Sequence, residues 1–394
     1  MTVLGGAGFQ GSQAASLLHA RSDVAEVVIG DLNPEAAEQA ANMIGPKCRG
    51  VAVDATDGDA ITSALTASSS DVLLNCAGPF RHTGTTALNA AIRAEVHYVD
   101  LLDDAHMVPA FFRCSDAAER AGITAAVGFG FSPGLTDVLG KLAVLEMSNV
   151  EELHWSYLCN ATLAVEPHLM AHRVQLFGRR ARMIVDGQMR EVQGGSEAIE
   201  VEWPGFGTLT ASAIAHPEPV MAHRYFPQLR RAVVRASYTT DSFGRMLATL
   251  GELGFDSEHP LRGVAGGVSP EEFIGHFLTS ATFHESRVWH EVVEAEERLG
   301  AVDAARVVAK GQVGGEDIAR GYLFVGRRRW QATYTVAAIA AYLVGTGALR
   351  RPGVHAPEGF DAARLVEECQ KGGLGIEEIN ARDLPELASS VVGA

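Results

Sequence analysis

The chain has 394 residues, 47% of them hydrophobic and 20% charged, which is enough apolar material for about two domains with ample cores. A net charge of −16 and a pI near 5.3 argue against nucleic acid and anionic membrane as partners. The arginine clusters Arg179-Arg180, Arg230-Arg231 and Arg327-Arg328-Arg329 are too short to reverse that balance and read as solvated loop ends.

The chain opens on a short apolar strand at 2–4, the turn Gly5-Gly6-Ala7-Gly8-Phe9-Gln10-Gly11, and a helical pattern over 12–20. A second apolar run at 24–29 ends at Gly30-Asp31, placing an acid twenty positions after the last glycine of a G-x-G-x-x-G turn. Each part has a physical role in holding a dinucleotide. Gly6 turns the chain out of the strand, Gly8 lets a pyrophosphate approach the backbone, and Gly11 lets the helix pack close. Free N–H groups at the helix start favour phosphate. The Asp31 carboxylate can accept hydrogen bonds from ribose hydroxyls. It also disfavours a 2′-phosphate, and no arginine follows it in Leu32-Asn33-Pro34-Glu35, so NAD is expected in preference to NADP.

The same rhythm continues. A helix is expected at 34–43, a strand at 50–53 ending in Asp54-Ala55, and a helix at 61–65. A fully apolar strand at 71–75 follows, ending in Asn75-Cys76-Ala77-Gly78-Pro79-Phe80, then a helix at 85–93 and a strand at 97–100. A helix at 107–121 and a strand at 123–127 leading into Gly128-Phe129-Gly130-Phe131 complete the set. Strands alternating with helices at this spacing specify a doubly wound parallel (Rossmann) sheet over residues 1–131. The carboxyl ends of its strands line the ligand crevice. The expected cofactor contacts are therefore Gly6, Gly8, Phe9, Gln10, Gly11, Asp31, Leu32, Asp54, Ala55 and the run Asn75, Cys76, Ala77, Gly78, Pro79 and Phe80.

After Pro133 the pattern changes. One more helix at 136–147 precedes strand-like runs at 153–159, 182–185, 199–203, 209–211 and 232–238, and a hairpin of 307–310 with 322–325 around Gly314-Gly315. Helices at 243–253, 271–278 and 288–299 interrupt them. The reading for 132–330 is a second α+β domain with a mixed, largely antiparallel sheet. The apolar helix at 333–349 and the tail through Val392 are expected to return to the first domain, as a C-terminal segment over 331–394. Its most apolar stretch, 334–344, is too short to span a bilayer. Five widely spaced cysteines without a C-x-x-C fit a reducing, cytoplasmic setting and specify neither disulfides nor a zinc site. No charged leader precedes the first strand, and the histidine pairs His168/His172 and His284/His290 lack further ligands, so no metal is implied.

Several runs together resemble the saccharopine dehydrogenase superfamily, in its lysine 6-dehydrogenase-like branch. They are the glycine turn with Asp31, Val96-His97-Tyr98-Val99-Asp100-Leu101, Gly130-Phe131-Ser132-Pro133-Gly134-Leu135-Thr136, Arg224-Tyr225-Phe226-Pro227-Gln228-Leu229, and the segment from Ala332 to Glu358. The resemblance implies NAD(P)-dependent redox chemistry at a carbon–nitrogen bond of an amino acid or diamine, such as oxidative deamination of lysine or a related amine. A homodimer is also implied. The arginine-tyrosine-x-glycine-histidine run of related lysine-oxidising enzymes is replaced here by Ala236-Ser237-Tyr238-Thr239-Thr240-Asp241. Reductive condensation of an amine with an oxo acid, or cofactor binding without catalysis, are the alternatives.

Hydride transfer at such a bond needs a base and a clamp for the substrate's carboxylate. Candidates for the base are Tyr98, Asp100, Asp103, Asp104, His106, His172, His216 and His223, with Asp100 and His172 favoured. Arg173, Arg224 and Arg235 are the candidates for the clamp, and Phe131 at the crossover is expected beside the substrate.

Overall fold

The computed structural model describes residues 1–162, 166–263, 267–300, 303–326, 328, 330–381 and 384–388. Arg327 and Arg329 of the third arginine cluster, and the tail from 389 onward, lie outside the described residues. The chain divides into two compact units, 1–142 with 330–374 and 143–329 with 375–394.

The first unit is built on a seven-stranded sheet in the order Gly353–His355, Thr124–Ala126, His97–Asp100, Val72–Asn75, Thr2–Leu4, Val27–Asp31, Cys48–Ala52. All the pairings are parallel. Strands covered on both faces must be apolar throughout. Val72, Leu73 and Leu74 are each at 0% exposure, as are Val3, Val27 and Ile29, and each such side chain contributes about 1.5–3 kcal/mol. The expected helix at 107–121 is two shorter ones, Val108–Phe112 and Ser115–Arg120. The seventh strand, Gly353–His355, has only three residues and pairs with a strand more than two hundred positions earlier in the chain, so its local sequence carries no alternation to detect.

The expected boundary at 131 falls short of the compact unit, which continues through Leu142 because the Leu135–Val144 helix starts directly from the Gly130–Gly134 turn. The long Gln331–Gly345 helix packs against Phe9–His19 and the two central strands. Ten of its fifteen residues are buried.

The second unit holds a nine-stranded sheet. Its main path runs Ile199–Trp203, Gly207–Ala213, Arg231–Tyr238, Asn149–Cys159, Asp303–Val313, Glu316–Gly326, Ile376–Ile379, and Arg180–Val185 with Gln188–Gln193 attach to Arg231–Tyr238. One pairing, Arg231–Tyr238 with Asn149–Cys159, is parallel and the rest are antiparallel. Residues 375–388 therefore belong to this unit rather than to the first one as expected. Strand Ile376–Ile379 forms the edge of this sheet beside Glu316–Gly326, and Glu386 lies at 0% exposure beside Arg306.

Candidate dinucleotide site and the buried network beneath it

At the carboxyl edge of the first sheet, strand Thr2–Leu4 ends in the glycine turn. Gly6 donates to the Gly30 carbonyl at 3.0 Å, Gly8 to Gly5 at 3.2 Å, and Ser12 to Gly8 at 2.9 Å as the helix starts. The three fingerprint glycines are unlike in their surroundings. A Cβ on Gly6 would lie 2.8 Å from the Val3 oxygen, and one on Gly11 2.3 Å from the Gly5 oxygen. A Cβ on Gly8 would meet only the Gly5 oxygen, at 3.3 Å, and otherwise open space. Gly6 and Gly11 are thus required by packing, whereas Gly8 leaves room for a phosphate against the helix N-terminus. Gly5 is a fourth required glycine that the fingerprint does not count. Its φ is +71°, and a Cβ there would lie 2.8 Å from the Ala77 nitrogen.

The Asp31 carboxylate faces this turn. Its Oδ2 accepts the Ala7 amide at 3.2 Å and its Oδ1 the Asn33 amide at 3.3 Å. The acid therefore stands beside the glycine turn, where the ribose of a dinucleotide would lie. Leu32 is 72% exposed. Asp54 is exposed beyond the next strand. Its Oδ1 accepts the Thr56 amide and hydroxyl at 2.8 and 2.7 Å, which lowers its pKa, and Ala55 beside it is half-buried. Gln10 is half-buried, while Gly8 and Phe9 are exposed.

Strand Val72–Asn75 runs into a loop in which Cys76 and Ala77 are half-buried, Gly78 and Pro79 exposed and Phe80 buried, with Gly78-Pro79 a cis peptide. Burial, helped by the Asp100 charge, pushes the Cys76 thiol up to about 12, so it is not a thiolate at neutral pH. The fully buried Asn75 amide shapes this loop. Its oxygen accepts the Ala77 amide at 3.0 Å and its nitrogen donates to the Tyr98 hydroxyl at 3.1 Å.

Tyr98 and Asp100, the expected base and its neighbour, do not line the crevice. Both are at 0% exposure. Asp100 Oδ1 accepts the Gly128 amide at 2.7 Å and the Leu102 amide at 3.0 Å, and Phe129 donates to its carbonyl at 2.8 Å. Oδ2 is sealed from solvent, with the Tyr98 hydroxyl as its polar neighbour and no full hydrogen bond of its own. The network Asn75–Tyr98–Asp100–Gly128 ties three strand ends together. It organises the loops of the crevice and offers no surface to a substrate.

Burial pushes the Asp100 carboxyl up to about 7, against the opposite pull of the Gly128 and Leu102 amides and the Tyr98 hydroxyl. The sign of the consequence follows from linkage. Between about pH 4 and pH 7 the unfolded chain releases a proton that the folded chain keeps, so stability falls as pH rises through that window and levels off above it. A rise from 3.8 to about 7 corresponds to on the order of 4 kcal/mol. Asp100→Asn removes this dependence and keeps an acceptor for the two amides. Urea unfolding at pH 5 and pH 8 is expected to show the wild type losing about 2–3 kcal/mol more than the variant across the interval. Equal losses would mean that Asp100 does not titrate there.

The clamp candidates are placed differently from expectation. Arg235 is at 0% exposure within strand Arg231–Tyr238, and its Nε donates to the Glu197 carbonyl at 2.9 Å. Arg173 is 7% exposed, and its two amino groups donate to the Ala161 and Asn160 carbonyls at 2.8 and 3.0 Å. Both arginines hold the second unit together from within, a role set by sheet register and by a loop that local sequence does not show. The same loop is fixed from its other side by Glu296, whose carboxylate accepts the Ala161 and Thr162 amides and the Thr239 hydroxyl. Arg224 remains exposed in the last turn of Glu218–Tyr225, and His172 is half-buried on Pro167–Gly178. Phe131 is half-buried, its carbonyl accepting the Thr136 amide at 3.1 Å. Among the described residues no helix is long and apolar enough to cross a membrane, and no three His, Cys, Asp or Glu residues are grouped to hold a metal ion.

Known proteins agree with this architecture. Residues 1–126 match the family model of the saccharopine dehydrogenase NADP-binding domain. A carboxyaminopropylagmatine dehydrogenase of Synechocystis sp. is 26% identical over 243 residues, which are 58% of this chain and 59% of that protein. The chain thus matches less than two thirds of that relative's length. Among solved structures, the apo saccharopine dehydrogenase (L-Glu forming) of Saccharomyces cerevisiae superposes with a TM-score of 0.65 at 16% identity, covering 96% of this chain and 99% of that one. Residues 1–126 thus resemble the saccharopine dehydrogenase NADP-binding domain, on a chain that has the saccharopine dehydrogenase fold.

Proposed function

We propose that the protein is an NAD(P)-dependent oxidoreductase that transfers hydride at the carbon–nitrogen bond of a small amino acid or amine. The observation that carries this reading is the glycine turn, open at Gly8 and closed at Gly6 and Gly11, with the Asp31 carboxylate beside it. The relative named for carboxyaminopropylagmatine supports an amine bearing a carboxylate as the substrate class. The nicotinamide ring supplies or takes the hydride when bound. The chain's own part is to hold phosphate at the Phe9–His19 helix start and to orient the ring through the Asn75-organised loop. With Tyr98 and Asp100 sealed, Asp103 and Asp104, half-buried beyond the same strand, are candidates within the first unit for the proton at the reacting nitrogen. The cytoplasmic setting expected from the cysteines and the homodimer implied by the resemblance are part of this reading, and light scattering of the purified chain tests the dimer.

Within this reading the cofactor is NAD. A 2′-phosphate would stand against the Asp31 carboxylate, whose two oxygens already accept the Ala7 and Asn33 amides. Fluorescence titration with NADH and NADPH is expected to show NADH bound at least tenfold more tightly, and Asp31→Ser to close most of that gap. Tighter binding of NADPH by the wild type would overturn the assignment. An absorbance screen of amines, lysine among them, then tests the chemistry, and failure of the intact protein to bind either nucleotide would remove the whole reading. Reductive condensation of an amine with an oxo acid is the second reading. Product analysis with NADH, amine and oxo acid together separates the two.

A further inference from the structure

One large side chain stands in a turn otherwise made of glycine, alanine and glutamine. Phe9, the first residue of the Phe9–His19 helix, is 38% exposed. Its ring is met edge-on by two aromatic rings more than three hundred residues away in sequence, Trp330 at 5.7 Å and Tyr334 at 6.3 Å between centroids. Both belong to the start of the Gln331–Gly345 helix. That helix lies alongside Phe9–His19 and runs parallel to it. Its first turn meets Phe9, while Tyr342 near its end donates to Asp23 at 2.8 Å and lies 4.4 Å under the Arg21 guanidinium, just past the end of the first helix. Both helix starts therefore open at the same carboxyl edge of the sheet. The Thr333 methyl also lies 3.6 Å from where a Cβ on Gly130 would stand.

Trp330 adds a second feature. It caps this helix with a left-handed backbone, φ +48° and ψ +30°, and no side-chain hydrogen bond to the helix. An L-residue with a bulky side chain rarely takes this conformation, and it persists where surrounding contacts fix it. Here the edge-on packing on Phe9 is such a contact, and it sets the direction in which the indole points.

We propose that Phe9, Trp330 and Tyr334 form an aromatic wall beside the pyrophosphate subsite, and that Trp330 and Tyr334 are affinity-determining residues for the dinucleotide. This rests on the dinucleotide reading given above. Phosphate held at the start of Phe9–His19 stands next to Gly8 and Phe9. An apolar wall there keeps water off one side of the diphosphate and strengthens the N–H to phosphate hydrogen bonds in the lower local dielectric. Trp330 and Tyr334 act by holding the Phe9 ring upright. Removing either ring frees Phe9 to fold over the open space at Gly8 or away from it. Trp330 is the one tryptophan of the first unit, the other three being Trp155, Trp203 and Trp289, so it also reports on occupancy through energy transfer to bound NADH.

The test is a titration of the intact chain with NADH, following nucleotide emission and tryptophan emission separately, for the wild type, Phe9→Ala, Trp330→Ala, Trp330→Phe and Tyr334→Ala. Phe9→Ala, Trp330→Ala and Tyr334→Ala are each expected to weaken NADH binding about tenfold. Trp330→Phe is expected to bind as the wild type does, because a ring remains, while losing the tryptophan quenching that Trp330 contributes. Thermal unfolding of each variant without nucleotide shows whether it is folded. Trp330→Ala binding NADH as tightly as the wild type would overturn the wall and leave the dinucleotide site intact. A wild type that binds no nucleotide would overturn both. If Trp330→Phe weakened binding as much as Trp330→Ala, the indole itself rather than a ring at that position would be the contact, and the wall as stated would be wrong.

Discussion

Gly11→Ala is expected to destabilise the first unit by about 2–3 kcal/mol and to weaken dinucleotide binding at least a hundredfold. The added Cβ would lie 2.3 Å from the Gly5 oxygen and 2.8 Å from the Gly6 Cα. These are backbone atoms of a tight turn, so the helix start itself must move, an overpacking cost in the usual range. Gly8→Ala is the informative partner. Its Cβ meets only the Gly5 oxygen at 3.3 Å, and the residue already has ordinary backbone angles, φ −69° and ψ 165°. That variant is expected to keep its stability within about 0.5 kcal/mol and to lose nucleotide binding nearly as completely. Urea unfolding and NADH titration of the two variants separate packing from ligand access. Unimpaired binding by Gly8→Ala would show that no phosphate approaches the backbone there.

Glu386→Ala is expected to cost about 3–5 kcal/mol, the range for breaking a buried ion pair from one side. Glu386 is at 0% exposure on the short Pro385–Ala388 helix. Its Oε1 accepts hydrogen bonds from Nε of Arg306 at 2.7 Å and the Ser156 hydroxyl at 3.3 Å, and stands 2.6 Å from Nη2 of the same guanidinium as an ion pair. Arg306 is 5% exposed and also lies over the Trp203 ring at 5.9 Å, so without Glu386 its charge is stranded under the sheet. The pair need not be a large net stabiliser, because its desolvation offsets much of the attraction. The double variant Arg306→Met with Glu386→Met is accordingly expected to recover most of the loss. Urea unfolding of the full chain measures both. A loss below about 1 kcal/mol for Glu386→Ala would mean that the last helix contributes little to holding the second unit.

The parallel domain was legible from residue order alone because its signals are local. The turn Gly5 to Gly11, the acid at Asp31 and apolar runs such as that of Val72–Asn75 each declare themselves within a few residues. The mixed second sheet was legible for the same reason, although the strand Gln188–Gln193 and the helices Pro167–Gly178 and Glu218–Tyr225 were not. Gln188–Gln193 is mostly exposed and polar, so it lacks an apolar alternation to read.

Whether a polar residue lines a site or holds the interior was not local. Asp100, Tyr98, Arg173 and Arg235 have the chemistry of catalytic and binding residues, and for Tyr98 and Asp100 the position at a strand end pointed to the crevice. Their partners are the Gly128 amide, the Asn75 amide, the Ala161 carbonyl and the Glu197 carbonyl, brought there by strand pairing or, for Arg173, by the loop before its helix. Sequence by itself determined the order of elements, the glycine turn and the acid beside it, because hydrophobic spacing and backbone sterics act over a few residues. Only the tertiary structure decided which side chains are buried, that Gly353–His355 completes the first sheet, and that Trp330 and Tyr334 stand against Phe9. Those outcomes depend on sheet register and helix packing, which couple residues hundreds of positions apart and leave no periodic trace in either segment.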